Sequence, residues 1–333
     1  MKTVVFDLDR TVRLCERPDP PLTDTGVLIK PSYAGICGTD LHAEVLDHFR
    51  PGVVMGHEFS GRVLATGRSA HRFAEGDLVV VNPNGNRCDQ CSECLSGHPN
   101  LCSSAVFKRG VGIHEDGGMA ELVVVDERTL FAVPPTVTET AAAWTEPLAT
   151  AVRAVSWTDL GPDSVAVVIG AGPIGLLVTQ LLGNLGVSQI EVVEPSPYRR
   201  KIATKLGATS AVAPVGNTQE THHAGVIFES SGSTQGFHSA LATVKAGGTI
   251  VVIGLAPTPL VIDPFALVGR EITIQGSIIY DDANFENALT LLETGAIDVE
   301  TLTTDVMALD EYAEAFNRLR DPEAATKILL QPR

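Results

Sequence analysis

At 333 residues the chain is long enough for two domains with separate cores. Its composition, 44% hydrophobic and 19% charged, is that of an ordinary globular protein. A net charge of -16 argues against the clustered Lys and Arg that a nucleic acid or an anionic membrane requires, and leaves a small molecule as the expected partner.

The N-terminus, Met1-Lys2-Thr3-Val4-Val5-Phe6-Asp7, meets acidic residues before any apolar stretch long enough for a signal peptide. The longest apolar run, 165–178, is interrupted by Gly170, Gly172, Pro173 and Gly175 and is too short to span a bilayer. A cytoplasmic location is therefore expected, where six cysteines read as ligands or core residues rather than disulfides.

Short β-like runs at Thr3 to Phe6 and Gly26 to Lys30, separated by Pro18-Asp19-Pro20-Pro21, suggest strands of a small barrel. One stretch competes for attention here. Val4 to Thr11 carries D-x-D-x-T after an apolar run, a pattern that resembles the nucleophile motif of haloacid-dehalogenase-type phosphatases, with Asp281-Asp282 as possible magnesium carboxylates. That reading leaves the cysteines and glycines below without a role, so Asp7 and Asp9 are expected to be solvated turn residues.

In Ala34-Gly35-Ile36-Cys37-Gly38-Thr39-Asp40-Leu41-His42, glycines on both sides of Cys37 let the backbone bend and aim the thiol into a cleft. A metal would hold it there as thiolate; a buried structural cysteine is the alternative. Thr39 and His42 supply a hydroxyl and an imidazole able to relay a proton from a buried alcohol. Gly56-His57-Glu58-Phe59-Ser60-Gly61 then sets an imidazole beside a carboxylate. Thiolate, imidazole and carboxylate are the ligands a zinc ion takes when one position must stay open for substrate.

Residues 88–102 hold Cys88, Cys91, Cys94 and Cys102, spaced C-x2-C-x2-C-x7-C. Four thiols so close can enclose one tetrahedral zinc with no vacancy, a structural site; an iron-sulfur cluster or a redox dithiol is the competing assignment. Zinc would hold a loop that has almost no apolar core of its own. Beyond it, His114, Glu115 and Asp116 are expected in an exposed loop before a strand ending at Val125. A helix-favouring run from Thr138 contains Glu146, which by itself reads as a first-turn helix carboxylate.

Val165 to Ile169 is a continuous apolar run of strand length and leads into Gly170-Ala171-Gly172-Pro173-Ile174-Gly175 and then a helical stretch. In that context G-x-G-x-x-G is informative: Gly172 lets a pyrophosphate approach the helix N-terminus and Gly175 allows close packing of helix on strand. A second strand ends in Glu194, nineteen residues past Gly175, the separation expected for a carboxylate that grips the adenosine ribose. A carboxylate there repels a 2'-phosphate, which favours NAD over NADP, although Arg199 and Arg200 stand nearby. Further strands are expected at 211–213, 225–229, 249–254 and 272–276, six in all; His222 and His223 fall in a polar link and read as solvated. Phe285, Ala288, Leu289 and Leu292 mark one amphipathic helix and Tyr312, Phe316 and Leu319 another, before a last strand at 327–330.

Taken in this order, the Cys37 segment, Gly56-His57-Glu58 with Gly61 and Gly67, the four-cysteine lobe and the glycine turn resemble the zinc-dependent medium-chain dehydrogenase/reductase family over essentially the whole chain. The resemblance implies an α/β protein: a GroES-like β-barrel catalytic domain over 1–148, a Rossmann doubly wound parallel-sheet domain over 149–278, and a return to the catalytic domain over 279–333. It places the active site in the cleft between the domains. Glu146-Pro147-Leu148 is similar to the polyol and threonine dehydrogenase branch, where classical alcohol dehydrogenases have a cysteine ligand. By that likeness Cys37, His57 and Glu58 hold a catalytic zinc, Glu146 is its fourth ligand or a partner of its bound water, and Thr39 and His42 form the proton path. Gly170, Gly172, Pro173, Ile174, Gly175, Glu194 and Arg199 would bind the coenzyme. The implied activity is NAD-dependent oxidation of a secondary alcohol, such as a polyol, an aminocyclitol or a 3-hydroxy amino acid, by a homodimer or homotetramer. Ile279 stands before Tyr280 where polyol-specific relatives often have arginine, which weighs against a simple sugar alcohol. A zinc-free quinone reductase of the same fold and a non-catalytic NAD-binding protein are the other readings.

Overall fold

A computed structural model of the chain describes residues 1–45, 48–104, 108–214, 223–256 and 258–333, so that His222 lies outside the described residues. Two compact units emerge, one formed by Met1–Ala149, Asp281–Gly295 and Thr303–Arg333, the other by Thr150–Tyr280 and Ala296–Leu302.

The first unit opens with an antiparallel hairpin of β1 (Lys2–Phe6) and β2 (Val12–Glu16), with Phe6 opposite Val12. Its turn holds the D-x-D-x-T stretch, closed by a hydrogen bond from the Asp7 amide to the Thr11 carbonyl. Arg13 pairs with Asp7 at 3.3 Å and with Asp9, so these carboxylates are neutralised at the surface, and the phosphatase motif is a turn. The unit's main sheet draws on β3 (Gly26–Gly35), β5 (Glu58–Thr66), β6 (Leu78–Val81), β7 (Val123–Asp126) and β8 (Leu130–Ala132), while the short β4 (Val53–Val54) pairs with β1. Pro31 has no N–H to give the ladder, and the register of β3 against β5 shifts between Pro31 and Tyr33. Gly61 lies opposite this bulge because a side chain would come within 2.6 Å of the Lys30 carbonyl. Past the bulge the register sets Gly35 against Glu58.

Short helices follow: α1 (Gly38–Leu41), α2 (Ser92–Leu95), α3 (Glu139–Ala142), capped by the Thr138 hydroxyl, and α4 (Thr145–Val155). Ile29, Phe59, Val63, Val79 and Leu130 lie in one buried core under the sheet. Segment 112–118 packs onto the backbone just before β5. A Cβ on Gly112 or Gly117 would fall within 2.4 Å of the Gly56 carbonyl oxygen, and one on Gly118 within 2.2 Å of the Phe59 ring. Of the residues expected in an exposed loop here, only Asp116 is exposed. His114 and Glu115 are half-buried, Glu115 accepting hydrogen bonds from Asn86 at 2.6 Å and Arg109 at 2.8 Å.

The second unit alternates strand and helix through β9 (Val165–Ile169), α5 (Pro173–Asn184), β10 (Gln189–Val193), α6 (Pro197–Lys205), β11 (Ser210–Val212), β12 (Ala224–Glu229), α7 (Thr234–Thr243), β13 (Val244–Val252), α8 (Pro264–Val268) and β14 (Thr273–Gly276). Its six-stranded sheet runs β11-β10-β9-β12-β13-β14, every neighbouring pair parallel. This order places the third strand of the unit at one edge and the sixth at the other, as in a doubly wound dinucleotide-binding sheet. Val167, Ile169, Ile227 and Ile250 are buried on it, which accounts for runs without polar alternation.

The C-terminal segment supplies α9 (Asp282–Glu293), α10 (Val299–Leu302), β15 (Thr303–Ala308), α11 (Tyr312–Arg320) and β16 (Lys327–Gln331). α9 buries all four expected apolar residues and α11 buries Phe316 and Leu319, with Tyr312 half-buried against the same core, and Asp281 caps α9 instead of joining Asp7. β16 inserts between β15 and β3 in the order β15-β16-β3-β5-β6-β8. The return expected over 279–333 is interrupted, because 296–302 belong to the second unit. Gln180 holds them there by accepting from the Asp298 amide at 2.7 Å, and Asn184 donates to the Ala296 carbonyl at 3.0 Å. Among the described residues no helix is long and apolar enough to cross a membrane.

Because Gly118 touches the Phe59 ring, Gly118→Ala should overpack the layer beneath β5 and cost about 1–3 kcal/mol. A urea unfolding midpoint equal to that of the unaltered protein would show that Phe59 has room to yield.

Candidate active site and metal centres

Cys37 lies two residues past the end of β3 and caps α1, Glu58 opens β5 and His57 immediately precedes it, so the ends of two adjacent antiparallel strands deliver all three to one place. One ligand atom from each of Cys37, His57 and Glu58 lies within 4.8 Å of the others. His57 and Glu58 are buried, at 5% and 2% exposure, and Cys37 is half-buried.

Asp40, which the sequence reading left without a role, organises this group. Its Oδ2 accepts the Cys37 amide at 2.8 Å, and its Oδ1 faces His57 Nδ1 at 3.6 Å. Both facing atoms are buried and make no hydrogen bond among the described residues. With Nδ1 turned to a carboxylate, Nε2 is the nitrogen left for a metal, the arrangement in which an outer carboxylate fixes a ligand histidine's tautomer. Burial alone would lower the His57 pKa, but Asp40, Cys37 and Glu58 together hold it well above its ordinary value, so the pocket attracts a positive charge. Burial raises the Asp40 pKa.

Lys327 is the second residue that the sequence did not single out. β16 runs antiparallel to β3 with Leu329 opposite Gly35, so Lys327, two residues earlier, projects to the same face of the sheet. Its Nζ pairs with Glu58 Oε2, and both side chains are 2% exposed. Burial would depress the ammonium, but Glu58, followed by Cys37, keeps it above its ordinary range. Nζ also stands 5.5 Å from the centre of the Trp144 ring.

Thr39 Oγ1 lies 3.7 Å from Cys37 Sγ. His42, exposed at the end of α1, has Nδ1 2.7 Å from the Gly38 carbonyl, which assigns the proton to Nδ1 and leaves Nε2 as acceptor. Thr39 and His42 are three residues apart and share a helix face. Glu146 sits half-buried in the first turn of α4 and is not one of the three clustered side chains.

The four lobe thiols also gather, with sulfurs within 4.8 Å of one another. α2 and the turn at 99–101 give the lobe its little regular structure, and only Cys102 of the four is fully buried. Backbone amides of Gln90 and Cys91 draw the Cys88 pKa down to about 6. Cys91 is pushed up to about 12: the Cys94 amide favours its thiolate, but burial and the neighbouring thiols outweigh it. Four thiols so close cannot all ionise without a cation, and a closed tetrahedral zinc would supply one.

In the second unit Gly170 adopts φ 94° and Gly175 closes on it, since a Cβ there would lie 1.9 Å from the Gly170 carbonyl. Nothing lies within 4 Å of where a Gly172 side chain would be, so the turn is open where a phosphate would approach the start of α5. Pro173 and Ile174 form the first turn of that helix. Glu194 is buried at the end of β10; its oxygens accept the Ala171 amide at 2.7 Å and the Ser196 amide at 2.9 Å. Arg199 lies in the first turn of α6, and Arg200 donates to the Glu194 and Pro195 carbonyls. His223 is exposed. Ile279 has φ 55°, a conformation β-branched residues rarely adopt, and Tyr280 beside it is buried.

Two family profiles match the chain: "Alcohol dehydrogenase GroES-like domain" over residues 23–135 and "Zinc-binding dehydrogenase" over 173–294. A sorbitol dehydrogenase of Halalkalibacterium halodurans is 31% identical, covering 95% of this chain and 94% of its own. The chain belongs to the zinc-binding dehydrogenases. Among solved structures, a zinc-binding dehydrogenase from Sinorhizobium meliloti 1021, bound to NADP, superposes with a TM-score of 0.90 at 30% identity, covering 99% of each chain. A 2R,3R-butanediol dehydrogenase from Bacillus subtilis gives a TM-score of 0.88 at 30% identity, over 100% of this chain and 99% of its own. This dehydrogenase therefore acts on CH–OH donors, within the polyol and threonine dehydrogenase branch, and the zinc-free reductase reading is not favoured.

Zinc added to the metal-stripped dehydrogenase at about pH 7 should release protons from the lobe, because Cys91 and Cys94 are held protonated without it. Affinity there should rise with pH. A pH-independent affinity, read by chelator competition, would rule out thiol ligation.

Proposed function

We propose that the dehydrogenase oxidises a secondary alcohol with a polar neighbour, of the polyol, aminocyclitol or 3-hydroxy amino acid type, to a ketone with NAD as hydride acceptor. The reading rests on the meeting of Cys37, His57 and Glu58 in a buried pocket. These three residues would hold a catalytic zinc, and Glu146 would complete or approach its ligand set. Zinc, when bound, supplies a Lewis acid that lowers the pKa of a substrate hydroxyl. Asp40 keeps His57 in the tautomer that binds metal. Thr39 accepts the proton leaving the substrate hydroxyl, and His42 passes it to solvent from its exposed position.

Gly170, Gly172, Pro173, Ile174 and Gly175 would receive the coenzyme pyrophosphate, with Arg199 near the ribose. NAD is favoured over NADP because the Glu194 carboxylate, fixed by two amides at the end of β10, repels a 2'-phosphate. The four-cysteine lobe would carry a structural zinc. We also propose that it is a cytoplasmic homodimer or homotetramer.

Cys37→Ser should abolish turnover yet leave NAD binding nearly intact, as read by coenzyme fluorescence; equal loss of both would make Cys37 structural. A panel of secondary alcohols tested with NAD and with NADP, followed by absorbance of the reduced coenzyme, tests the substrate class. No signal with any member would leave a coenzyme-binding protein without this chemistry.

A further inference from the structure

Lys327 has no part in the chemistry above, yet it is a buried cation on a proposed zinc ligand. Its Nζ is engaged with one particular oxygen of Glu58, Oε2. The backbone has made room for that pairing. A Cβ on Gly35 would lie 2.5 Å from Glu58 Oε2, 2.9 Å from Lys327 Cε and 3.2 Å from Lys327 Nζ, so the absence of a side chain at the strand position between β5 and β16 lets the two meet. The Trp144 ring beside Nζ further confines the ammonium.

From this geometry we infer that Lys327 is a positioning residue that sets how Glu58 binds metal: by holding Oε2, it leaves Glu58 only Oε1 to give. A carboxylate so held is a one-oxygen ligand, which keeps coordination low and a place open for substrate. A carboxylate released from the lysine can turn both oxygens to the ion and fill that place. The lysine also offsets the charge of Glu58 within a pocket that already contains Cys37 and Asp40.

The inference rests on the zinc reading above, and cobalt tests the two separately. In the full chain, prepared with Co2+ at the Cys37 site and zinc on the four lobe thiols, the visible ligand-field bands report coordination number, being intense for four ligands and weaker for five. Lys327→Met should lose half or more of the band intensity. Lys327→Arg, which keeps a cationic donor on Glu58, should retain it, and Lys327→Gln should fall between. Lys327→Gln and Lys327→Arg carry the comparison if Lys327→Met does not fold. Bands from the neutral variants that superimpose on those of the unaltered protein overturn the inference, as does an equal loss in Lys327→Arg. Failure of the unaltered protein to take up cobalt at Cys37 overturns the zinc reading itself.

Discussion

Anionic groups gathered where water does not reach them must be answered by cations from the protein or from a ligand. Asp40 and Glu58 are almost fully buried, and Cys37 joins them as a thiolate whenever a metal is held. Leaving one member of a buried ion pair without its partner costs on the order of 3–5 kcal/mol. Lys327 answers Glu58, and in the metal-free pocket His57, with its raised pKa, answers Asp40. The local architecture accommodates these groups: Gly35 bare between two strands, α1 turning so that Asp40 reaches back to the Cys37 amide, and Gly112 and Gly117 pressed on the Gly56 backbone.

The other two sites meet charge in different ways. In the lobe, thiols compete for protons across a segment with little regular structure, and the proposed zinc would stand in for a core there. At the glycine turn the backbone does the work. Gly172 is open, Gly175 is closed on Gly170, and Glu194 spends its oxygens on two amides, so one buried carboxylate shapes the loop it borders. Each site thus calls on a distinct supply of compensating charge: side-chain cations at Cys37, the proposed closed metal in the lobe, and backbone dipoles at the glycine turn.

How much of this was legible in the amino acids depended on how far apart in the chain the partners stand. Gly170 to Gly175 and the four cysteines are local patterns, and their spacing dictates what they can form. The six parallel strands followed from apolar runs of the right length, with boundaries shifted by a residue or a few, as where β13 starts at Val244 instead of residue 249. The hairpin strand β2 was hidden because its polar Arg13 and Glu16 alternate with half-buried residues and the D-x-D-x-T turn suggested other chemistry. Asp40 had a local signal, an acid three residues into a helix beginning at Cys37, which is where a carboxylate bonds back to the preceding amide. Lys327 had none. A lysine heading an apolar strand reads as a solvated end, and only the pairing of β16 with β3 brings it 269 residues back to Glu58.

The interruption at 296–302 limits how this molecule can be divided. Because the polypeptide passes between the units after 149, 280, 295 and 302, neither unit corresponds to one uninterrupted piece of gene. A fragment stopping at 149 would lack the inner strand β16 and, with it, the only ammonium that meets Glu58 among the described residues. Excising the coenzyme-binding half would likewise strip it of α10. Chimeras with other dehydrogenases would therefore have to exchange all of a unit's separated stretches together, three for the first and two for the second, and a library built on a single crossover would inherit mismatched sheets.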